Sequence, residues 1–178
     1  MNNNFLIKKY PLQKGKNNTI LRNKSDEVET FDKELTKFCS ELKKLMFIYD
    51  GVGLSAPQIG LNTRVVAISR WNIRGDKRTF IEDLILINPI ITKFSSSKND
   101  DIEGCLSLPG IEGIVTRSDK INVSFYNPKG KLIKKQFAGI DARIVQHEVD
   151  HLNGILFTDK IKNGNKSGLV LDKFVNLT

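Results

Sequence analysis

His147 and His151 are the only histidines in the chain, and they stand four residues apart in Gln146-His147-Glu148-Val149-Asp150-His151-Leu152. On an α-helix, positions i and i+4 lie one above the other on a single face. Two imidazoles so placed reach one metal ion, with Glu148 beside the first. His-Glu-x-x-His on a helix is a pattern for metal-assisted hydrolysis: two nitrogen ligands, and a carboxylate that takes a proton from water activated by the ion. The same pattern also arises on ordinary amphipathic helices, so it needs support from elsewhere in the chain. With no other histidine present, any further protein ligand must be Cys, Asp or Glu.

An open catalytic site of this kind takes three protein ligands and keeps one position for water. Downstream of His151 only Asp159 and Asp172 are acidic. Upstream, Glu103-Gly104-Cys105-Leu106-Ser107-Leu108-Pro109 offers a thiol. Taken by itself, Cys105 reads first as a small buried core residue.

Several elements must position these groups. Leu35, Phe38, Cys39, Leu42, Leu45, Met46 and Tyr49 follow helical spacing and predict an amphipathic helix over about 31–49, capped by Thr30 or Asp32. Cys39 lies on its apolar stripe and reads as core. Gly51 ends that helix and opens a Gly- and Pro-containing stretch to Gly60 where another backbone can approach closely. Strands are expected at Arg64–Ser69 and Leu84–Ile91, with Pro89 at an edge or bulge. A surface loop is expected over 94–101, which is rich in Ser, Asn and Asp. Lys120–Tyr126 and 132–137 form a hairpin across Asn127-Pro128-Lys129-Gly130. The histidine helix runs over about 141–153, with Gly154 as its stop. The order predicts an α+β fold: mostly antiparallel strands packed around a C-terminal helix carrying the motif, plus an N-terminal amphipathic helix.

Length and composition fit one domain over 1–178: 39% of residues are hydrophobic and 27% charged. No apolar run approaches the ~20 residues of a membrane span. Two cysteines with no sign of an oxidising compartment argue against a disulfide. The net charge is +8, and residues 1–24 carry six basic side chains and no acidic one. That segment reads as a solvated, weakly steering arm. It has neither the aromatic interleaving nor the motif of a nucleic-acid binder, so no DNA partner is expected. Glu103 reads as a buried carboxylate that needs a cation, with Arg117 the candidate; Asp150 reads as a solvated helix residue.

Three segments taken together say more. Gly-Val-Gly-Leu-Ser-Ala-Pro-Gln-Ile-Gly at 51–60, Glu-Gly-Cys-Leu-Ser-Leu-Pro at 103–109 and Gln-His-Glu-Val-Asp-His-Leu at 146–152 resemble, in order and spacing, the signature motifs of peptide deformylases. The resemblance implies a hydrolase that removes the formyl group from the formyl-methionine start of new polypeptides. It implies one divalent ion held by Cys105, His147 and His151, natively Fe(II), with Zn, Ni or Co as substitutes. Glu148 is then the general acid/base, and Gln58 with the Leu106 N–H holds the formyl oxygen. The peptide is expected to add as a strand along Gly51, Val52, Gly53 and Leu54. Glu103, Gly104, Ile140 and Ile144 complete the binding residues, with Val52, Gly53, Glu103, Ile140 and Ile144 around the methionine. Strand addition predicts weak preference beyond that residue. Ser55 stands where many bacterial members have alanine. The expected setting is a monomer in the cytoplasm, or in a plastid or mitochondrial compartment, with a weak ribosome contact through the basic arm; the tail 160–178 is shorter than the basic C-terminal helix through which some bacterial relatives contact the ribosome. The alternative is a ribosome- or RNA-associated protein with a vestigial metal site.

Overall fold

Val65, Val66, Ala67 and Ile68 form an unbroken apolar run, and all four are buried. Such a run is a strand covered on both faces. In the computed structural model, which describes residues 3–74 and 77–161, Val65 and Ala67 join a core with the first long helix, and Val66 and Ile68 join another with the histidine helix. A five-stranded antiparallel sheet therefore lies between two helices.

The elements in chain order are α1 (Asn3–Lys9), α2 (Thr19–Arg22), α3 (Lys33–Ile48), β1 (Gly53–Ser55), β2 (Val65–Arg74), β3 (Lys77–Phe94), β4 (Lys98–Gly104), β5 (Glu112–Ser118), β6 (Lys120–Tyr126), β7 (Leu132–Ala138) and α4 (Ile140–Leu152). The sheet order is β1-β2-β3-β6-β7, and β4 pairs with β5 as a separate ribbon. The sheet packs on one side of α4; Arg143 ties the other side to β5 by donating to the Val115 carbonyl at 2.9 Å. This is the α+β arrangement expected, with the motif helix at its centre. Asp32 caps α3 by accepting from the Leu35 N–H at 2.8 Å. Asn88-Pro89 makes the expected irregularity: register shifts between Ile87 and Ile90, and Asn88 takes φ 50°. No helix among the described residues is long and apolar enough to cross a membrane.

Two regions differ from expectation. The polar run over 94–101 is largely strand, because β4 pairs residue for residue with β5 from Lys98↔Ser118 to Gly104↔Glu112. A polar, exposed ribbon gives no alternating apolar signal, so composition alone read it as loop. The basic N-terminal segment is also folded onto the body. Leu6 and Leu21 are buried, and Glu41 of α3 accepts from Lys9 Nζ and Tyr10 Oη, each at 3.0 Å. The Gln13 N–H donates to the Gln58 carbonyl at 2.7 Å, and the Gly15 N–H to the Ser107 carbonyl at 3.0 Å. The segment therefore braces two of the three signature loops. Residues 162–178, most of the expected tail, lie outside the described residues.

Candidate metal centre and substrate cleft

α4 puts His147 and His151 on one face, with ring centroids 5.0 Å apart. The turn after β4 brings in Cys105, whose Sγ lies 3.3 Å from His151 Nε2. One donor atom from each of the three falls within 4.8 Å of the others. A single ion bonded to N and S at about 2.0–2.3 Å spans such a set. His147 Nδ1 faces Glu103 Oε2 at 3.0 Å, which leaves its Nε2 for the cluster. His151 is held neutral, its pKa lowered first by burial and then by the charges of His147 and Arg117, as a nitrogen ligand requires. For His147 burial acts downward, but hydrogen bonds to Cys105 and Glu103 and the charge of Glu148 outweigh it and raise the ring to about 10. The pocket thus favours positive charge at this point, and a divalent cation meets the same demand. The donor set, its spacing and its field all fit a metal ion.

Glu148 is buried, and its Oε2 has no hydrogen-bond partner among the described residues. Burial pushes its carboxyl up to about 7, against the pull of His147. Gly53 permits this placement: a Cβ there would stand 2.6 Å from Glu148 Oε1. Gly104 differs, since a Cβ would meet nothing nearer than 3.7 Å, so close packing does not demand glycine there. Gln58 is held from the Ser55 side. The Ser55 N–H and Oγ–H both donate to Gln58 Oε1 at 2.8 Å, which turns Nε2 toward Cys105 Sγ, 3.6 Å away.

Beneath the Cys105, His147 and His151 cluster lies a buried charge network. Arg117 Nε and Nη2 clamp Glu103 at 2.8 Å each, and Arg143 Nη1 adds a third bond at 2.7 Å. Burial alone would raise the Glu103 carboxyl, but Arg117 and His147 hold it well below the usual carboxylate range. Arg117 is therefore the partner that the sequence suggested. Asp150 was expected in solvent; instead it is buried, bonded to Arg117 Nη1 and, at 2.7 Å, to Lys160 Nζ. Its partners come from β5 and from beyond α4, which the helix's own sequence does not reveal. Arg143 was not singled out, although its place four residues before His147 puts it on the ligand face.

A cleft of about 460 Å³ opens over the cluster, lined by Gly51, Val52, Gly53, Gln58, Glu103, Gly104, Cys105, Leu106, Ile140, Ile144, His147 and Glu148. Leu54 is the exception among the expected binding residues. Its side chain is fully buried against α3, because alternation along β1 turns it away from Gly53. Strand β1 is the sheet's edge. The Ser69 N–H donates to the Val52 carbonyl at 2.9 Å, so by alternation Gly53 turns its N–H and C=O to the free side.

Comparison with known proteins agrees with this geometry. The family model described as polypeptide deformylase matches residues 10–167. The chain belongs to the polypeptide deformylase family. It is 42% identical over 142 residues to peptide deformylase 1 of Bacillus subtilis strain 168, covering 80% of this chain and 84% of that one. It is 37% identical over 155 residues to the chloroplastic peptide deformylase 1B of rice (Oryza sativa subsp. japonica), covering 87% of this chain and 54% of that longer protein. A crystal structure of the class I type b peptide deformylase of Acinetobacter baumannii with Met-Ala-Ser bound superposes with a TM-score of 0.79 at 35% identity, covering 85% of this chain and 98% of that one. Membership makes the chain a metal-dependent hydrolase that removes the N-formyl group from nascent peptides.

Proposed function

We propose that deformylation here is carried out by Cys105, His147 and His151 around one divalent ion, with Glu148 moving the proton. Gln58 and the Leu106 N–H receive the charge that develops on the formyl oxygen. The observation that carries this reading is the meeting of three donor atoms from two distant segments beside a buried carboxylate, one oxygen of which has no hydrogen-bond partner among the described residues.

When bound, the ion supplies Lewis acidity that lowers the pKa of water from ~15.7 to near 7 and polarises a carbonyl. Glu148, raised toward neutrality by burial, accepts a water proton and returns it to the departing amine. Gln58 needs no reorganisation to donate, because Ser55 already holds its carbonyl; a preorganised donor of this kind is worth roughly 3 kcal/mol to an oxyanion. The peptide adds antiparallel to β1 through Gly53 and places methionine against Val52, Ile140 and Ile144. Fe(II) is the native ion in this reading. Imidazole and thiolate also suit Zn, Co and Ni, which substitute for it.

The rival enzyme class, a peptide-bond protease, usually completes such a motif with a downstream His or Glu, and no downstream His exists. The RNA-associated alternative loses its main support, since the basic segment is folded against α3 and the motif loops. Incubating the metal-loaded protein with formyl-Met-Ala-Ser and, separately, with casein tests the reading. Formate release from the peptide and no casein cleavage are expected. Casein cleavage, or no formate at full metal loading, overturns it.

A further inference from the structure

A cavity of about 280 Å³ lies on another face of α4, apart from the substrate cleft. Gln146, Val149, Asp150 and Asn153 line it at i, i+3, i+4 and i+7, a stripe that excludes His147 and His151. From β3, Ile90 and Phe94 supply an apolar wall, and each is more than half exposed, so the wall is open to a ligand. Arg64, one residue before β2, completes the lining and is only 8% exposed. Its Nη1 donates to the Leu152 carbonyl at 3.1 Å and to Asn153 Oδ1 at 3.0 Å, which caps the C-terminal end of α4. Its Nε and Nη2, the edge that pairs side-on with a carboxylate, donate to nothing among the described residues. The other cations of the lining are answered: Arg117 by Glu103 and Asp150, Lys160 by Asp150. Arg64 has no carboxylate in ion-pair reach; burial pushes its guanidinium down, and Glu27 opposes this only from farther off. Capping alone leaves most of its donors unused, and a buried cation without a counter-charge is costly.

We infer that this cavity binds a small carboxylic acid with an apolar body, its carboxylate held on the Nε–Nη2 edge of Arg64. A planar guanidinium edge matches two oxygens of one carboxylate, each taking one N–H. Asn153, already joined to Arg64 through Oδ1, keeps its Nδ2 amide for the same ligand. Lys160, at the rim, adds positive field. The body lies against Ile90, Phe94 and Val149, which removes apolar surface from water. A free phosphate would leave that wall bare, and its second negative charge would face Asp150 at closer cost than a monoanion's. The site does not rest on the deformylase reading, because none of these residues belongs to the metal cluster or lines the substrate cleft.

The test is calorimetric titration of the metal-loaded full chain with 3-phenylpropanoate, its neutral amide and acetate. The acid should bind with a Kd of about 1 mM or tighter, the scale for a ligand of its size. The amide should bind at least ~10-fold more weakly, because it lacks charge-assisted hydrogen bonds. Acetate should also lose at least ~10-fold, because it has no body to bury. Arg64→Lys keeps a charge and a donor for the Leu152 carbonyl but loses the paired edge, so the acid should bind it ~10-fold more weakly. Ile90→Glu changes an exposed strand position and sets a like charge at the cavity mouth, and a loss of ~10-fold is expected there too. If Arg64→Lys does not melt cooperatively, Ile90→Glu decides. No binding of the acid, equal binding of acid and amide, or an affinity unchanged in a folded variant overturns the inference. Affinity that survives both substitutions is the signature of the acid resting on the metal ion, on the other face of α4.

Discussion

In the proposed mechanism Glu148 joins two demands that pull against each other: deep burial, and a carboxylate ready to exchange a proton. Burial raises it to about 7, close to the pH at which a general acid/base works best. Glu148→Gln keeps the shape and removes the proton exchange. We expect metal content and thermal unfolding to stay unchanged while kcat on formyl-Met-Ala-Ser falls at least ~100-fold. Near-native turnover in that variant would mean another group carries the proton. The residues that meet at the candidate site were legible because helix geometry makes His147, Glu148 and His151 a unit, and because two further segments supplied Cys105 and Gln58 through the family resemblance. Arg143 and the buried state of Asp150 were not. Their partners, Glu103, Val115, Arg117 and Lys160, lie on other elements, and no spacing within α4 points to them.

At the scale of elements, α3 was visible from apolar periodicity, α4 from the histidine spacing with Gly154 as its stop, and the β6–β7 hairpin from alternation and a Pro-Gly turn. β4 was hidden because its apolar content is low and its pairing with β5 decides its state. The N-terminal segment was misread because six basic side chains obscured the few apolar residues, Leu6, Tyr10, Leu12 and Leu21, that anchor it. Glu41 is the polar anchor. Burial acts to raise its pKa, but the hydrogen bonds from Lys9 and Tyr10 prevail and lower it. A carboxylate with a lowered folded pKa stabilises the fold above its unfolded value of about 4.3, and that contribution is lost as pH falls through the folded value. Glu41→Gln should therefore melt below wild type at pH 7, and the gap should narrow at pH 3.5. A gap that is constant across this range, by thermal melts, would mean that Glu41 contributes shape and no charge.

The whole molecule reads as a sheet held between α3 and α4, with the β4–β5 ribbon delivering Cys105 to α4 and the edge of β1 left free beside the cleft. Each of these parts is needed before Cys105, His147 and His151 can meet, so in the proposed mechanism metal binding reports on the entire fold. Titrating chelator-stripped protein with Fe(II) under anaerobic conditions, while following formate release from formyl-Met-Ala-Ser, tests the central claim most directly. Turnover should rise linearly and saturate at one ion per chain in wild type and in Cys39→Ser, and stay absent in Cys105→Ser. Turnover in the stripped protein, saturation at a different stoichiometry, or an active Cys105→Ser variant would contradict the account.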